Sequence, residues 1–139
     1  MASDRIRGDR NNKKIVILDS SAIMMLFEFS IDLENELSRL LGSFRIVVPK
    51  PIVEELRLLA ERGKGKKRLI AKPALKLIEK YEIVDAQGGG DDSILFLAKK
   101  FNGLVLTNDR ELRRQVKDLG LHSIYLRGKK KLAMTQEFG

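Results

Sequence analysis

Five short apolar runs, separated by stretches with helical periodicity, constrain the fold of this chain more than any other feature. The runs are rich in Ile, Val and Leu and cover residues 14–18, 45–48, 82–85, 104–106 and 123–126. Apolar runs of this length are typical of strands that are buried on both faces of a parallel sheet. Because helical segments lie between them, the sequence predicts an α/β fold with helices on both faces of the sheet.

The segments between the runs carry the helical patterns. Helices are predicted over residues 20–29, 32–41, 51–61, about 69–80, 91–101 and 109–118. Aspartate is a favoured N-terminal capping residue. One of Asp91 and Asp92, which follow three glycines, is therefore predicted to cap its helix, and Asp19 and Asp109 can each be interpreted as caps as well.

The order of the strands decides which residues meet. Five parallel strands wound in both directions from the first take the order 3-2-1-4-5, and the winding reverses between strands one and four. Open α/β sheets bind ligands at such a reversal, beyond the carboxyl ends of the strands. Asp19 follows the first strand, whereas Thr107 and Asp109 follow the fourth. We therefore expect Asp19 and Asp109 to lie beside each other.

Three further carboxylates are candidates for the same edge of the sheet. Glu55 falls on the apolar stripe of helix 51–61, three residues after Ile52 and four before Leu59. Burial of an ionised carboxylate is costly unless it pairs with a cation, so Glu55 either binds metal or pairs with a nearby Arg or Lys. Of Asp91 and Asp92, one is not needed as a cap. Gathered carboxylates raise one another's pKa and suit a bound cation, here Mg²⁺ or Mn²⁺.

Composition excludes several other kinds of site. The 139 residues, 43% of them hydrophobic, can bury the core of one domain. The absence of cysteine excludes disulfides and thiolate zinc sites, and the single histidine, His122, is interpreted as structural. No phosphate-binding glycine loop or dinucleotide motif is present. Without a membrane-spanning run or a signal-peptide pattern, a cytoplasmic protein with no membrane contact is expected.

The net charge of +8 is unevenly distributed. Residues 62–76 contain seven Lys or Arg and no acid, and residues 1–14 and 127–139 are also basic. A basic periphery around an acidic centre suits an enzyme that binds a polyanion and acts on it with metal. The alternative interpretation is that these lysines only keep the surface soluble, or that the 62–68 loop forms a dimer contact.

Four segments of the chain each contain one or two of the candidate acids. They are Ile15–Ile23, Val48-Pro49 with Ile52–Leu56, Asp91–Leu95 and Leu106–Leu112. In this order the segments resemble the PIN-domain nucleases, across residues 14–127. The resemblance implies a PIN-like three-layer α/β/α sandwich on a five-stranded parallel sheet of order 3-2-1-4-5. The family's opening is commonly Asp-Thr-Asn, so Ser21 here replaces an amide side chain. Outside the matching range, the polar residues 1–13 are expected to form a flexible basic arm and residues 128–139 a basic tail.

The resemblance also implies an activity and the residues that carry it. A Mg²⁺- or Mn²⁺-dependent endoribonuclease is expected, in which Thr107 orients Asp109 through its hydroxyl and Ser20 also supports the acids. Metal is expected on Asp19, Asp91, Asp92 and Asp109, and Glu55 joins them as a catalytic residue. RNA phosphates are expected to contact the basic residues Arg62, Lys64, Lys66, Lys67, Arg68, Lys129, Lys130 and Lys131.

Two branches of the family differ in substrate and partner. The small-subunit ribosomal-RNA processing nucleases are similar in the Asp-Asp pair, in the run Thr107–Arg114 and in a basic insert before the third strand. They imply an rRNA precursor as substrate and a ribosome-assembly partner. VapC toxins share the fold and acids but are restrained by an antitoxin. The sequence favours the processing branch. A homodimer and a non-catalytic RNA-binding scaffold are further possibilities, although the intact acid set argues against a scaffold.

Overall fold

The computed structural model describes residues 13–135, and its helices and strands alternate as the apolar runs predict. The strands are β1 (Lys14–Leu18), β2 (Phe44–Pro49), β3 (Glu82–Val84), β4 (Leu104–Leu106), β5 (Ser123–Arg127) and β6 (Lys131–Met134). The helices are α1 (Ser20–Glu28), α2 (Leu33–Leu41), α3 (Lys50–Arg62), α4 (Gly65–Ile78), α5 (Gly90–Phe101) and α6 (Arg110–Asp118). Of the predicted basic arm, residues 1–12 lie outside the described range. From residue 13 to 135, no helix is long and apolar enough to cross a membrane.

The strands form one sheet in the order β3-β2-β1-β4-β5-β6, which confirms the predicted order 3-2-1-4-5. Its central strand, β1, pairs in parallel with β2 on one side and with β4 on the other. Connections between parallel strands are right-handed, so the helices before β2 and β3 cover one face and those before β4 and β5 cover the other. Ile15–Leu18 are buried between these two layers.

The sixth strand was not predicted. β6 pairs antiparallel with β5 after a turn in which Gly128 has a φ of +73°, so the sheet is mixed rather than purely parallel. Residues 131–134, which the sequence placed in a basic tail, therefore belong to the sheet. Helix α2 secures the outer edge of the strand: Glu36 accepts a hydrogen bond from the Leu132 N–H (2.8 Å), and Arg39 donates one to its carbonyl oxygen (2.7 Å).

The basic stretch 62–68, predicted to be a loop, is mostly helical. α3 continues to Arg62, only Gly63 and Lys64 separate it from α4, and α4 begins at Gly65 rather than near residue 69. Two contacts hold this junction: Arg68 donates to the carbonyl oxygen of Ala60 (3.2 Å), and the Lys66 ammonium lies 2.9 Å from the Glu28 carboxylate. The basic residues here are thus more fixed than a glycine-rich loop would make them.

Candidate active site

Asp19 lies where the carboxyl ends of β1 and β4 adjoin. Its N–H donates to the carbonyl oxygen of Leu106 on β4 (3.3 Å), and the residue is only 6% exposed. Oδ2 of the carboxylate accepts hydrogen bonds from Thr107 Oγ1 (2.7 Å) and Ser21 Oγ (2.6 Å). Although Asp19 occupies the N-cap position of α1, its side chain makes no capping bond. Two hydroxyls, rather than the helix, therefore fix this carboxylate.

Thr107 joins the two acids that the strand order predicts to be neighbours. Its buried hydroxyl donates to Asp19 and accepts from the Asp109 N–H (3.0 Å). Thr107 thus orients the Asp19 carboxylate, and its hydroxyl contacts Asp109 at the backbone N–H. Oδ1 of Asp109 accepts the Leu112 N–H (3.0 Å), so Asp109 does cap α6. No donor within residues 13–135 is hydrogen-bonded to its second oxygen, Oδ2.

Glu55 reaches the same edge from α3. It is exposed rather than buried, which corrects the expectation from the apolar stripe: Ile52 and Leu56 enter the core while Glu55 stays at the boundary, where water solvates its charge. Oε2 accepts a hydrogen bond from Ser20 Oγ (3.0 Å). Ser20 and Ser21 thus support different acids, Glu55 and Asp19. The role of Ser21 was missed, although its position two residues after Asp19 was a usable signal.

Neither Asp91 nor Asp92 caps α5, contrary to the prediction. Gly89 is the N-cap residue, and both aspartates lie exposed in the first turn. Gly88 permits this arrangement because its φ is +82° and a Cβ on it would come within 2.7 Å of Asp92 Cβ. The requirement for glycine at residue 88 was not predicted.

The electrostatics of Asp91 show that the acids share one region. The pKa of its carboxyl is raised, first by partial burial and then by the negative charges of Asp19, Asp109, Glu55 and Asp92. In the part of the chain that the structure describes, no Lys or Arg lies within 4.0 Å of any of these five carboxylates. The edge of the sheet therefore carries negative charge that no neighbouring side chain neutralises.

This set of oxygen donors fits a hard divalent cation. Mg²⁺ is commonly bound through one or two carboxylates and keeps several of its waters, and Mn²⁺ also prefers oxygen ligands. Within residues 13–135, no three Asp, Glu or His side chains are close enough in this conformation to hold one ion together. An ion here would be held by few direct carboxylate contacts and by water. Asp19, Asp91, Asp92 and Asp109 are the residues suited to it.

The predicted RNA-binding lysines lie in two segments of the fold. Lys64, Lys66 and Lys67 are exposed at the α3–α4 junction, whereas Lys129 and Lys130 are exposed in the β5–β6 turn. Lys131 begins β6, with its ammonium 3.9 Å from Glu36. Nδ1 of His122 lies 3.1 Å from the carbonyl oxygen of Thr135, in a contact that ties the start of β5 to the end of β6.

Known proteins resemble the chain across most of its length. Residues 16–129 match the family model described as "PIN like domain". The chain is 31% identical over 126 residues to Ribonuclease VapC9 of Archaeoglobus fulgidus, covering 91% of this chain and 93% of that protein. It is 36% identical over 120 residues to Ribonuclease VapC4 of Methanocaldococcus jannaschii, covering 83% and 92%. The solved structure of the PIN domain endonuclease Utp24 shares the fold, with a TM-score of 0.69 and 23% identity over 86% of this chain and 90% of that one.

Proposed function

The chain belongs to the PIN-like domain family, and from that premise we propose that it is a VapC-type ribonuclease. It would hydrolyse phosphodiester bonds of single-stranded RNA with Mg²⁺ or Mn²⁺. The observation that carries the proposal is the group of five carboxylates at the β1–β4 edge. Between residues 13 and 135, no Lys or Arg side chain forms an ion pair with any of them.

A bound divalent ion would supply two kinds of chemistry, activation of a water and stabilisation of the charge that develops on the leaving oxygen. The side chains provide its binding site. Thr107 and Ser21 both bond to Oδ2 of Asp19, and no donor among the described residues bonds to Oδ1, which is left for the ion. Asp109 and the Asp91–Asp92 pair lie at the N-termini of α6 and α5.

Other groups at this edge would bind the phosphates of the substrate and accept a proton. Helices α1, α5 and α6 all begin at this edge, and helix N-termini favour the binding of phosphate. Glu55 is exposed to solvent and held by Ser20, and we assign to it the role of accepting a proton from an attacking water.

The relatives bear on which branch of the family is the better model. Both curated relatives are named VapC ribonucleases, which favours a VapC-type enzyme over the rRNA-processing enzyme that the sequence favoured. A VapC-type enzyme would have a protein antitoxin as its partner. An rRNA precursor, a ribosome-assembly partner and a homodimer stay predictions. A non-catalytic scaffold is disfavoured because it would retain the mutual repulsion of five acids without need.

The proposal is tested with end-labelled single-stranded RNA. We expect cleavage in Mg²⁺ or Mn²⁺ and none in EDTA. Asp19→Asn should abolish cleavage while leaving the melting temperature equal or higher, because it relieves repulsion within the acid cluster. Asp32→Asn is the matched control, since Asp32 is an exposed acid that caps α2 beyond the far end of α1. Cleavage that persists in EDTA, or an Asp19→Asn protein as active as the control, would refute the proposal.

A separate experiment distinguishes the branches. RNA crosslinked to the Asp19→Asn protein in cells can be sequenced and mapped. Reads concentrated near one end of the small-subunit rRNA would favour the processing branch. Reads on other RNAs, together with a small protein that copurifies and inhibits cleavage, would favour the VapC type.

A further inference from the structure

A groove between α6 and β5 is lined by cations and by no carboxylate of the described chain. It has a volume of about 820 Å³. It starts at Arg110, directly after Asp109, so its near end adjoins the acidic edge of the sheet. Its side chains include Arg110, Arg113, Arg114, Lys117 and Tyr125.

Most of this positive charge is not neutralised. Among the cations of the groove, only Arg114 is paired with acids of the described chain, through contacts to Glu111 and Asp118. From residue 13 to 135, no carboxylate lies within 4.0 Å of the charged groups of Arg110, Arg113 or Lys117. Cations collected in a groove without counter-charges attract a polyanion and concentrate it there.

The groove also contains a flat surface suited to a base. The Arg113 guanidinium lies 4.7 Å from the centre of the Tyr125 ring, and Tyr125 is half-buried without being part of the core. Proteins that bind single strands stack bases on aromatic rings and on Arg guanidinium planes. An acidic peptide would need the charges alone, whereas the Arg–Tyr stack specifically suits a nucleobase.

We propose that this groove binds the single-stranded RNA that flanks the cleaved bond. Arg113 and Lys117 contact its phosphates, and one base stacks on the Arg113–Tyr125 pair. The inference rests on the proposed nuclease function, because the acidic edge defines where the strand is cut. Residues 110–117 span two helical turns, about 10 Å at 1.5 Å per residue, so the groove contacts nucleotides beyond those at the acids. Its contribution should therefore depend on RNA length.

The test measures binding of fluorescein-labelled RNA of four or twelve nucleotides to Asp19→Asn protein in EDTA, by anisotropy. Adding Arg113→Ala and Lys117→Ala should weaken binding of the longer RNA at least tenfold and change the shorter one little. For the longer RNA, a plot of the logarithm of the binding constant against the logarithm of the salt concentration should become shallower by about 1.4. Two phosphate contacts are lost, and each contact on a single strand contributes roughly 0.7 to this slope. Tyr125→Leu should weaken binding of the longer RNA by at least about fivefold through loss of stacking.

Lys80→Ala in the same background is the matched control. Lys80 also lies over a tyrosine, 5.6 Å from the Tyr81 ring, but it is paired with Glu34. The Lys80→Ala variant should bind both RNAs with the same affinity as the Asp19→Asn protein. Circular dichroism checks folding, and the single Lys117→Ala variant, at an exposed position, carries the charge test if the double variant unfolds.

Two results would refute the proposal that this groove binds single-stranded RNA. One is a double variant that binds the longer RNA as tightly as the Lys80→Ala control. The other is equal affinity of the parent for duplex and single-stranded RNA, which would exclude stacking on Arg113–Tyr125. Failure of the nuclease proposal would look different: the wild-type protein would cleave no RNA with any metal, while length-dependent binding in the groove persisted.

Discussion

The Asp19 carboxylate is fixed by residues that are distant in the chain and adjacent in the sheet. One hydroxyl comes from Ser21, two residues away, and the other from Thr107 at the end of β4. These two hydroxyls hold a nearly buried carboxylate in one orientation, ready for a cation. The same Thr107 hydroxyl accepts the Asp109 N–H, so it couples the two acids.

Thr107→Val tests this coupling, because valine keeps the shape and removes the hydroxyl. The substitution removes one donor from Asp19 and leaves the Asp109 N–H without its acceptor. We expect a loss of about 1–3 kcal/mol in the free energy of unfolding, and a large loss of cleavage. Urea unfolding and the RNA assay measure the two effects. Thr107→Ser keeps the hydroxyl and should retain most of the stability and most of the cleavage activity. If the valine variant were as stable and as active as the serine variant, the Thr107 hydroxyl would not couple the two acids.

The raised pKa of Asp91 predicts how stability depends on pH. The folded protein holds this proton more tightly than the unfolded chain, so the stabilisation is present below the ordinary value of 3.8 and is lost as pH rises through the folded pKa. Asp91→Asn cannot ionise. In EDTA it should be more stable than the wild type at pH 7 and equal to it near pH 3.

Melting temperatures measured from pH 3 to 7 check this prediction. Asp85→Asn, which removes an exposed charge from the loop before α5, controls for a general loss of negative charge. A wild-type protein that is as stable as Asp91→Asn at every pH would contradict the proposed repulsion among the acids.

At the scale of elements, the start of α5 is set by glycine geometry rather than by an aspartate cap. Gly88 adopts a φ of +82° close to Asp92, while Gly89 is the N-cap residue and has open space around it. The glycine run therefore does more than make a flexible turn. It allows the helix to begin before the two aspartates, and their side chains are then not used for capping.

Gly88→Ala should displace Asp92 and lower the stability of the folded protein. A left-handed backbone costs an L residue about 1–2 kcal/mol, and here the added methyl would also meet Asp92 Cβ at 2.7 Å. We expect a lower melting temperature and reduced cleavage. Gly89→Ala adds the same methyl with nothing within 4 Å, so it should have the smaller effect on both. Equal effects of the two substitutions would show that the close approach at Gly88 does not matter.

For the whole molecule, the sequence predicted the parts of the fold that depend on the five short apolar runs. The runs at β1, β2 and β4 are largely buried, and winding of the parallel strands in both directions from β1 gives the strand order and the adjacency of Asp19 and Thr107. β6 escaped prediction because Leu132 is its only buried apolar residue, and because the side chains that secure it come from α2, more than ninety residues earlier.

The details of the site were less predictable because they also depend on how separate elements pack against one another. Whether Glu55 is buried depends on how α3 is rotated against the sheet, and the apolar stripe alone leaves that rotation undecided. The groove at α6 was missed because Arg113 and Tyr125 are brought together only by the pairing of β4 with β5. Charge totals in the sequence pointed instead to the lysine-rich stretches.

The most direct test of the metal site is anomalous diffraction from a crystal of the protein soaked in Mn²⁺. We predict a peak within about 2–2.5 Å of the Asp19 carboxylate and of at least one of Asp91, Asp92 and Asp109, and we predict that Asp19→Asn abolishes this peak. Manganese bound only elsewhere on the protein would contradict it. So would carboxylates at this edge that are separated by more than about 10 Å, beyond what one or two hydrated ions could bridge.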